Sequence, residues 1–198
     1  MDAMGVVFIN EDDVEELLIP FLKKRYNSLN VEKLRDLYYE QLSLGRISSK
    51  KFFRILNIPN IEKEYLDECL TLDPDFLSVA KDLHKKHILT MFSNDVSEWS
   101  LYLRRKYELD KYFSKYIISG DVGIRKPDPK IYQRLLEELD IQGKQCIFVD
   151  NSPKNLEPAS KMSITTVHFK RSGSDYGYKP DFVVKDFFEL KELLLKAL

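Results

Sequence analysis

The chain has 198 residues, 43% hydrophobic and 32% charged, which is enough for one hydrophobic core with a small accessory domain. Its 31 lysines and arginines nearly balance 32 aspartates and glutamates, so the net charge of -1 gives no electrostatic reason to bind nucleic acid or an anionic membrane. No apolar run has the length of a membrane span, and the first residues do not resemble a signal peptide. The two distant cysteines, Cys69 and Cys146, are predicted to be reduced, so we expect a cytoplasmic protein.

The first predicted element is a buried strand at residues 6–9, where four β-branched or aromatic residues follow one another. Residues 14–72 carry apolar stripes at helical spacing, separated by breaks, with almost no strand pattern. We predict that they form a small all-helical cap domain. The remaining chain, residues 1–13 plus 73–198, is predicted to form the core domain.

Strands and helices alternate from residue 73 onward. The predicted helices begin near residues 73, 95, 129 and 153, and Leu190, Leu193 and Leu194 are predicted to form a closing helix. The predicted strands are residues 88–92, 116–119, 146–149 and 164–169, with a short edge strand at 182–184. This alternation implies an α/β fold with a doubly wound parallel, Rossmann-like sheet. The polar run 171–179 is the most loop-like part of the chain and could border a site.

Polar residues follow four of the predicted strands, and the ends of parallel strands share one edge of a sheet. They are Asn10 and Asp12, Ser93 and Asn94, Lys126, and Asp150 and Asn151. Taken singly, Lys126 could be a solvated loop lysine and Ser93 could cap a helix. Together they offer an ammonium, a hydroxyl, amides and an acid, a set that suits a phosphate. The sequence therefore predicts a phosphate-binding edge.

Three segments resemble motifs of a known family: residues 92–94 (FSN), 123–129 (GIRKPDP) and 147–156 (IFVDNSPKNL). They are similar to the second, third and fourth motifs of the haloacid dehalogenase-like (HAD) hydrolase superfamily. The chain resembles its phosphatase-type members with a helical cap in the first insertion position. The resemblance covers nearly the whole chain and is clearest from residue 73 to residue 169.

The resemblance implies a magnesium-dependent phosphatase of a small phosphorylated metabolite, with substrate choice set by the cap. An aspartate at the end of the first strand would attack phosphorus, and a second aspartate two residues on would act as acid and then base. Ser93, Asn94 and Lys126 would bind the phosphate. Mg²⁺ would lie between the nucleophile, the backbone carbonyl two residues on, and an aspartate of the fourth motif.

Aligned on the predicted first strand, the chain departs from this pattern at two positions. Asn10 falls at the nucleophile position, with Asp12 at the acid/base position, and Asn151 replaces the metal-binding aspartate. The metal positions are thus Asn10, Asp12 and Asn151, with Asp150 as a possible further ligand. An amide is a poor nucleophile and Mg²⁺ prefers carboxylates, so we predict impaired catalysis and weak or lost metal binding.

Several alternatives stay open at this point. The chain could be a pseudoenzyme that binds phosphate or another anion, or a scaffold that binds a protein. Asn10 could have been introduced by engineering, or a shifted strand could make Asp12 or Asp13 the nucleophile. A 2-haloacid dehalogenase is disfavoured because Asp12 fits the phosphatase pattern.

Overall fold

The computed structural model describes residues 1–171 and 177–197. Residues 13–69 are helical apart from short connections. A π-helical segment, Asp13–Leu18, precedes α1 (Ile19–Arg25), and a second, Tyr38–Leu42, follows α2 (Val31–Leu37). The segment ends with α3 (Ser49–Ile55) and α4 (Glu62–Cys69). We call residues 13–69 the helical segment; its assignment as a separate cap domain, with the boundaries given above, stays a prediction.

The rest of the chain alternates strands with helices, as predicted. In order, the elements are α5 (Phe76–Leu83), β1 (Leu89–Ser93), α6 (Ser97–Lys106), β2 (Phe113–Ile118), α7 (Ser119–Val122), α8 (Pro129–Leu139), β3 (Ile147–Asp150), α9 (Pro153–Ser160), β4 (Thr165–Phe169), β5 (Phe182–Val184) and α10 (Phe187–Glu192). A final π-helical segment covers Leu193–Ala197. The parallel α/β fold is confirmed.

The strands form two parallel sheets, β1–β2 and β3–β4–β5. Met1 and Asp2 lie between them. The Met1 amino group donates to the Thr90 carbonyl at 2.7 Å, and the Phe92 N–H donates to the Met1 carbonyl at 2.9 Å. The Asp2 N–H donates to the Val149 carbonyl at 2.8 Å. These bonds place Asp2 at the edge formed by the ends of β1 and β3.

The predicted strand at residues 6–9 is wrong. Its first three residues are buried, but they belong to a tight loop rather than to a strand. The Phe8 N–H donates to the Ala3 carbonyl at 2.9 Å, and the Gly5 N–H donates to the Asn10 carbonyl at 2.6 Å. Gly5 has a φ of +74°, which a residue with a Cβ adopts only at a cost. The chain therefore turns back before residue 6, and Asn10 does not end a strand.

Aromatic side chains join the helical segment to the core. Trp99 of α6 donates from Nε1 to Ser49 Oγ at 3.0 Å. Its ring centroid lies 6.0 Å from that of Tyr38 and 5.2 Å from that of Tyr65. All three rings are buried, so this contact fixes the helical segment over the strand ends. Among the described residues, no helix is long and apolar enough to cross a membrane.

Candidate active site

Asp2 is a buried carboxylate, 7% exposed, at the strand ends. Its Oδ1 accepts a hydrogen bond from the Ala3 N–H at 2.8 Å and lies 2.9 Å from Lys126 Nζ. The turn at Gly5 takes the chain away from the site directly afterwards. Asp2 is thus held at the edge where the sequence predicted Asn10.

Lys126 is held in place through its backbone. Asn94 donates from Nδ2 to the Lys126 carbonyl at 2.9 Å, and its Oδ1 accepts from the Lys126 N–H at 2.7 Å. Next in the chain, Asp128 caps α8 by accepting from the Lys130 N–H at 2.9 Å, as its place before Pro129 predicts. Asn94 therefore positions the lysine rather than facing a ligand with a free amide.

The Lys126 ammonium uses all three of its donors. Nζ donates to the Phe92 carbonyl at 2.9 Å and to Asp150 Oδ2 at 2.7 Å, besides its contact with Asp2. Burial opposes the charged form, but the Asp150 and Asp2 carboxylates outweigh it and hold the pKa of Lys126 above its ordinary value. The lysine is 2% exposed and is a buried, fixed positive charge.

Asp150 supports the lysine. Its Oδ1 accepts from the Ser152 N–H at 2.7 Å, and Asn155 Nδ2 lies 3.2 and 3.1 Å from its two oxygens. Burial, with the nearby Asp2 carboxylate, raises the pKa of Asp150 to about 6 against the opposing effect of Lys126. Both oxygens thus accept hydrogen bonds that hold Lys126 and the start of α9 in place, and the possible role of Asp150 as a metal ligand stays a prediction.

Ser93 presents a hydroxyl that has no partner among the described residues. It ends β1 and is 1% exposed, and its Oγ is buried without a hydrogen bond. Leaving a buried hydroxyl unpaired costs free energy. A ligand oxygen in the adjoining cavity would satisfy it.

One cavity of about 330 Å³ joins these residues. Its core-side lining includes Asp2, Met4, Ser93, Asn94, Arg125, Lys126, Asn151 and Lys154. Its other wall includes Glu11, Asp12, Asp13, Tyr38 and Tyr39, which belong to the helical segment or directly precede it. The structure thus brings Ser93, Asn94, Lys126 and Asn151 together, as the sequence predicted.

Two predicted positions are wrong. Asn10 is not among the lining residues, because its carbonyl closes the Gly5 turn behind the site. Asp12 does line the cavity, but it caps the first π-helical segment: its Oδ1 accepts from the Val14 and Glu15 N–H groups, both at 2.9 Å. It also lies ten positions after Asp2, not two, so it is neither the acid/base nor the metal position implied by the family spacing.

The sequence did contain a signal for Asp2. Asp2 and Val6 follow the family spacing Asp-x-Asp-x-Thr/Val, with Met4 at the second aspartate. No apolar run marks a strand at this position, so the signal is weak. The sequence indicated Asp13 only as a nucleophile on a shifted strand, and it did not single out Tyr38 or Arg125, because only the folded chain brings these residues to the cavity.

The residues that would hold magnesium are few. They are the Asp2 carboxylate, the Asn151 amide and the Met4 backbone carbonyl. Among the described residues, no group of three or more His, Cys, Asp or Glu side chains could hold a metal ion. Mg²⁺ is often bound by one or two carboxylates together with substrate phosphate. This set fits an ion that binds jointly with a phosphate, and fits a tight resident ion poorly.

A family model for haloacid dehalogenase-like hydrolases matches residues 8–162. The chain belongs to this family. Among curated proteins, this HAD-like chain is similar to a glyceraldehyde 3-phosphate phosphatase of Pyrococcus furiosus, at 29% identity over 141 residues, 68% of this chain and 58% of that protein. It is also similar to (S)-2-haloacid dehalogenase 4A of Burkholderia cepacia, at 29% identity over 131 residues, 64% of this chain and 57% of that protein. The chain thus spans less than two thirds of the length of either relative.

A solved structure shows the same fold. It is a HAD family enzyme from Bacteroides thetaiotaomicron in complex with magnesium and inorganic phosphate. It superposes with a TM-score of 0.73 at 23% identity, over 89% of this chain and 94% of that one. The family model therefore confirms the predicted family, and the solved structure confirms the predicted fold.

Proposed function

We propose that this HAD-like protein is a hydrolase of small phosphomonoesters in which Asp2 is the nucleophile. The observation that carries the proposal is the Asp2 carboxylate, 2.9 Å from the Lys126 ammonium, beside the unpaired Ser93 hydroxyl on one small cavity. A carboxylate next to a fixed cation and an orphan donor can attack a bound phosphoryl group and form a covalent intermediate. The phosphatase relative and the phosphate-bound structural neighbour support this substrate class.

Each residue has a role in this scheme. Ser93 Oγ donates to a phosphoryl oxygen, and Lys126 offsets the charge that the substrate and Asp2 bring together. Asn94 and Asp150 hold Lys126 at the cavity wall. Magnesium, when held there, would neutralise further charge on the phosphoryl oxygens.

The prediction of impaired catalysis depended on Asn10 at the strand end. With Asp2 at that edge, we propose that the nucleophile is retained. The substitution of the metal-binding aspartate by Asn151 remains, so we expect magnesium to bind weakly without substrate. The pseudo-phosphatase alternative becomes an outcome of the test below, and a cytoplasmic location stays a prediction.

Met4 favours a second candidate function. It stands two residues after Asp2, where the phosphatase pattern has an acid, and a thioether cannot transfer a proton at neutral pH. Asp12, which had argued against a dehalogenase, caps a helix instead. Displacement of halide at carbon needs no proton for the leaving group, and one relative is a (S)-2-haloacid dehalogenase. A small 2-haloacid is therefore the alternative substrate.

Parallel assays separate these functions. We would measure phosphate release from a panel of phosphomonoesters with magnesium, and chloride release from 2-chloropropionate, using wild type, Asp2→Asn and Asn10→Asp. The proposal expects phosphate release that is lost in Asp2→Asn and unchanged in Asn10→Asp. Chloride release alone supports the second candidate. Phosphate binding without either release supports the pseudo-phosphatase and contradicts the proposal.

A further inference from the structure

The scheme above gives no role to Asp13, one of the carboxylates that line the cavity. Asp13 begins the helical segment and lines the same cavity as Asp2 and Ser93. Its Oδ2 accepts a hydrogen bond from the Tyr38 hydroxyl at 2.8 Å, and its backbone carbonyl accepts from the Tyr65 hydroxyl at 3.0 Å. Tyr38 lies in the second π-helical segment and Tyr65 lies in α4. Both side chains are buried, so they hold Asp13 in one position.

Phosphomonoester hydrolysis needs a group that transfers protons. The leaving alkoxide must gain a proton, and the water that later cleaves the intermediate must lose one. Met4, two residues after Asp2, can do neither. Asp12 is engaged with two backbone N–H groups, whereas Asp13 presents a carboxyl with one side-chain bond.

We propose that Asp13, held by Tyr38 and supplied by the helical segment, is the acid and base of the reaction. The inference rests on the proposed phosphatase function. It makes the helical segment part of the catalytic centre and gives Tyr38 the role of a positioning residue.

The chemistry balances over two steps. In the first, Asp2 forms a bond to phosphorus, the bond from phosphorus to the leaving oxygen breaks, and the leaving oxygen takes the proton of Asp13. In the second, the Asp13 carboxylate takes a proton from water, whose oxygen bonds to phosphorus. The bond to Asp2 breaks, releasing inorganic phosphate, and Asp13 is again protonated.

The electrostatic surroundings of Asp13 suit a carboxyl group that gains and loses a proton near neutral pH. Titratable or charged groups face Asp13 from every element packed round it: Tyr38, Tyr39, Tyr65, Asp12, Asp95 and Arg125. Burial is the main influence and raises the pKa of Asp13 to about 6; the Tyr38 hydrogen bond and Arg125 oppose it, and Asp12 adds to it. A catalytic acid or base works best with a pKa near the working pH.

The test compares two leaving groups in Asp13→Asn. The asparagine oxygen can still accept from Tyr38, so the fold is kept, and exposed Asp36 on α2 provides the matched control Asp36→Asn. We expect Asp13→Asn to lower turnover of glycerol 3-phosphate by roughly 10²–10⁴-fold. Single-turnover release of nitrophenolate from p-nitrophenyl phosphate should fall far less, because nitrophenolate leaves without a proton. The phosphorylated Asp2 intermediate should then accumulate, because no base activates water.

The pH–rate profile of Tyr38→Phe tests the positioning role of Tyr38, because a residue with a purely structural role would not change that profile. Without the hydroxyl, ionised Asp13 loses a donor and its pKa rises. The limb of the pH–rate profile that requires ionised Asp13 should shift to higher pH.

The outcomes separate this inference from the proposed function. Formation and decay of phosphorylated Asp2 in Asp13→Asn at wild-type rates would overturn the inference alone. Equal losses with both leaving groups, with thermal stability kept, would also overturn it. A wild-type protein that forms no adduct on Asp2 with either phosphate would instead overturn the proposed function.

Discussion

Replacing Lys126 by methionine tests the charge network that holds Asp2. Methionine keeps most of the side-chain volume but removes the ammonium that lies 2.7 Å from Asp150 and 2.9 Å from Asp2. Asp150 is fully buried, so its charge would keep only the donors from Ser152 and Asn155. Breaking a buried ion pair from one side costs about 3–5 kcal/mol of the free energy of unfolding.

That cost is large enough to measure by thermal or urea unfolding. For a chain of this size, about 1 kcal/mol shifts Tm by roughly 2–4 °C, so Lys126→Met should lower Tm by roughly 6–20 °C. Exposed Lys130 on α8 gives the control Lys130→Met, which should change Tm little. The double variant Lys126→Met with Asp150→Asn should recover at least half of the loss, because no charge is then buried at position 150. A single variant as stable as the control, or a double variant as unstable as the single one, would refute this reasoning.

Three further predictions concern the cavity and the Gly5 turn behind it. Ser93→Ala should lower kcat/KM for phosphate release by roughly 10²–10³-fold. It should change the free energy of unfolding by less than about 1 kcal/mol, because Ser93 Oγ has no hydrogen-bond partner to lose among the described residues. Kinetics and urea unfolding on one preparation check both. Gly5→Ala should destabilise by about 1–2 kcal/mol, since φ is +74°. The new Cβ would overlap the Asn151 side-chain amide, so magnesium-dependent activity should fall as well. An unchanged melting temperature would contradict the predicted loss of stability. Asn10→Asp should leave phosphate release unchanged within assay error, because Asn10 lies behind the site; a gain in rate would support the alignment that puts Asn10 at the nucleophile position.

Local spacing predicted the core of the fold and half of the site. The structure around Lys126 can be predicted from the local sequence alone, because a strand, a proline and a capped helix follow one another there. The polar ends of β1 and β3 could likewise be recognised because each follows a clear apolar run. These signals are local, so one sequence is enough to find them.

The other half of the site depends on tertiary structure. Val6, Val7 and Phe8 are as buried as a central strand, but they fill space behind a turn, and an apolar run alone does not distinguish the two cases. Asp2 is placed at the strand ends by its own backbone bond to Val149 and by the backbone bonds of Met1 to Thr90 and Phe92. No local sequence pattern indicates bonds between residues so far apart. Asp13 and Tyr38 are 25 positions apart and meet only because the helical segment folds over the strand ends.

The location of the covalent intermediate tests the central claim most directly. Wild-type protein would be quenched in acid during turnover of p-nitrophenyl phosphate, digested and analysed by mass spectrometry. We expect one phosphoryl group on the peptide that contains Asp2, assigned to that residue and absent from Asp2→Asn. A phosphoryl group on Asp12 or Asp13, or full turnover by Asp2→Asn, would contradict it.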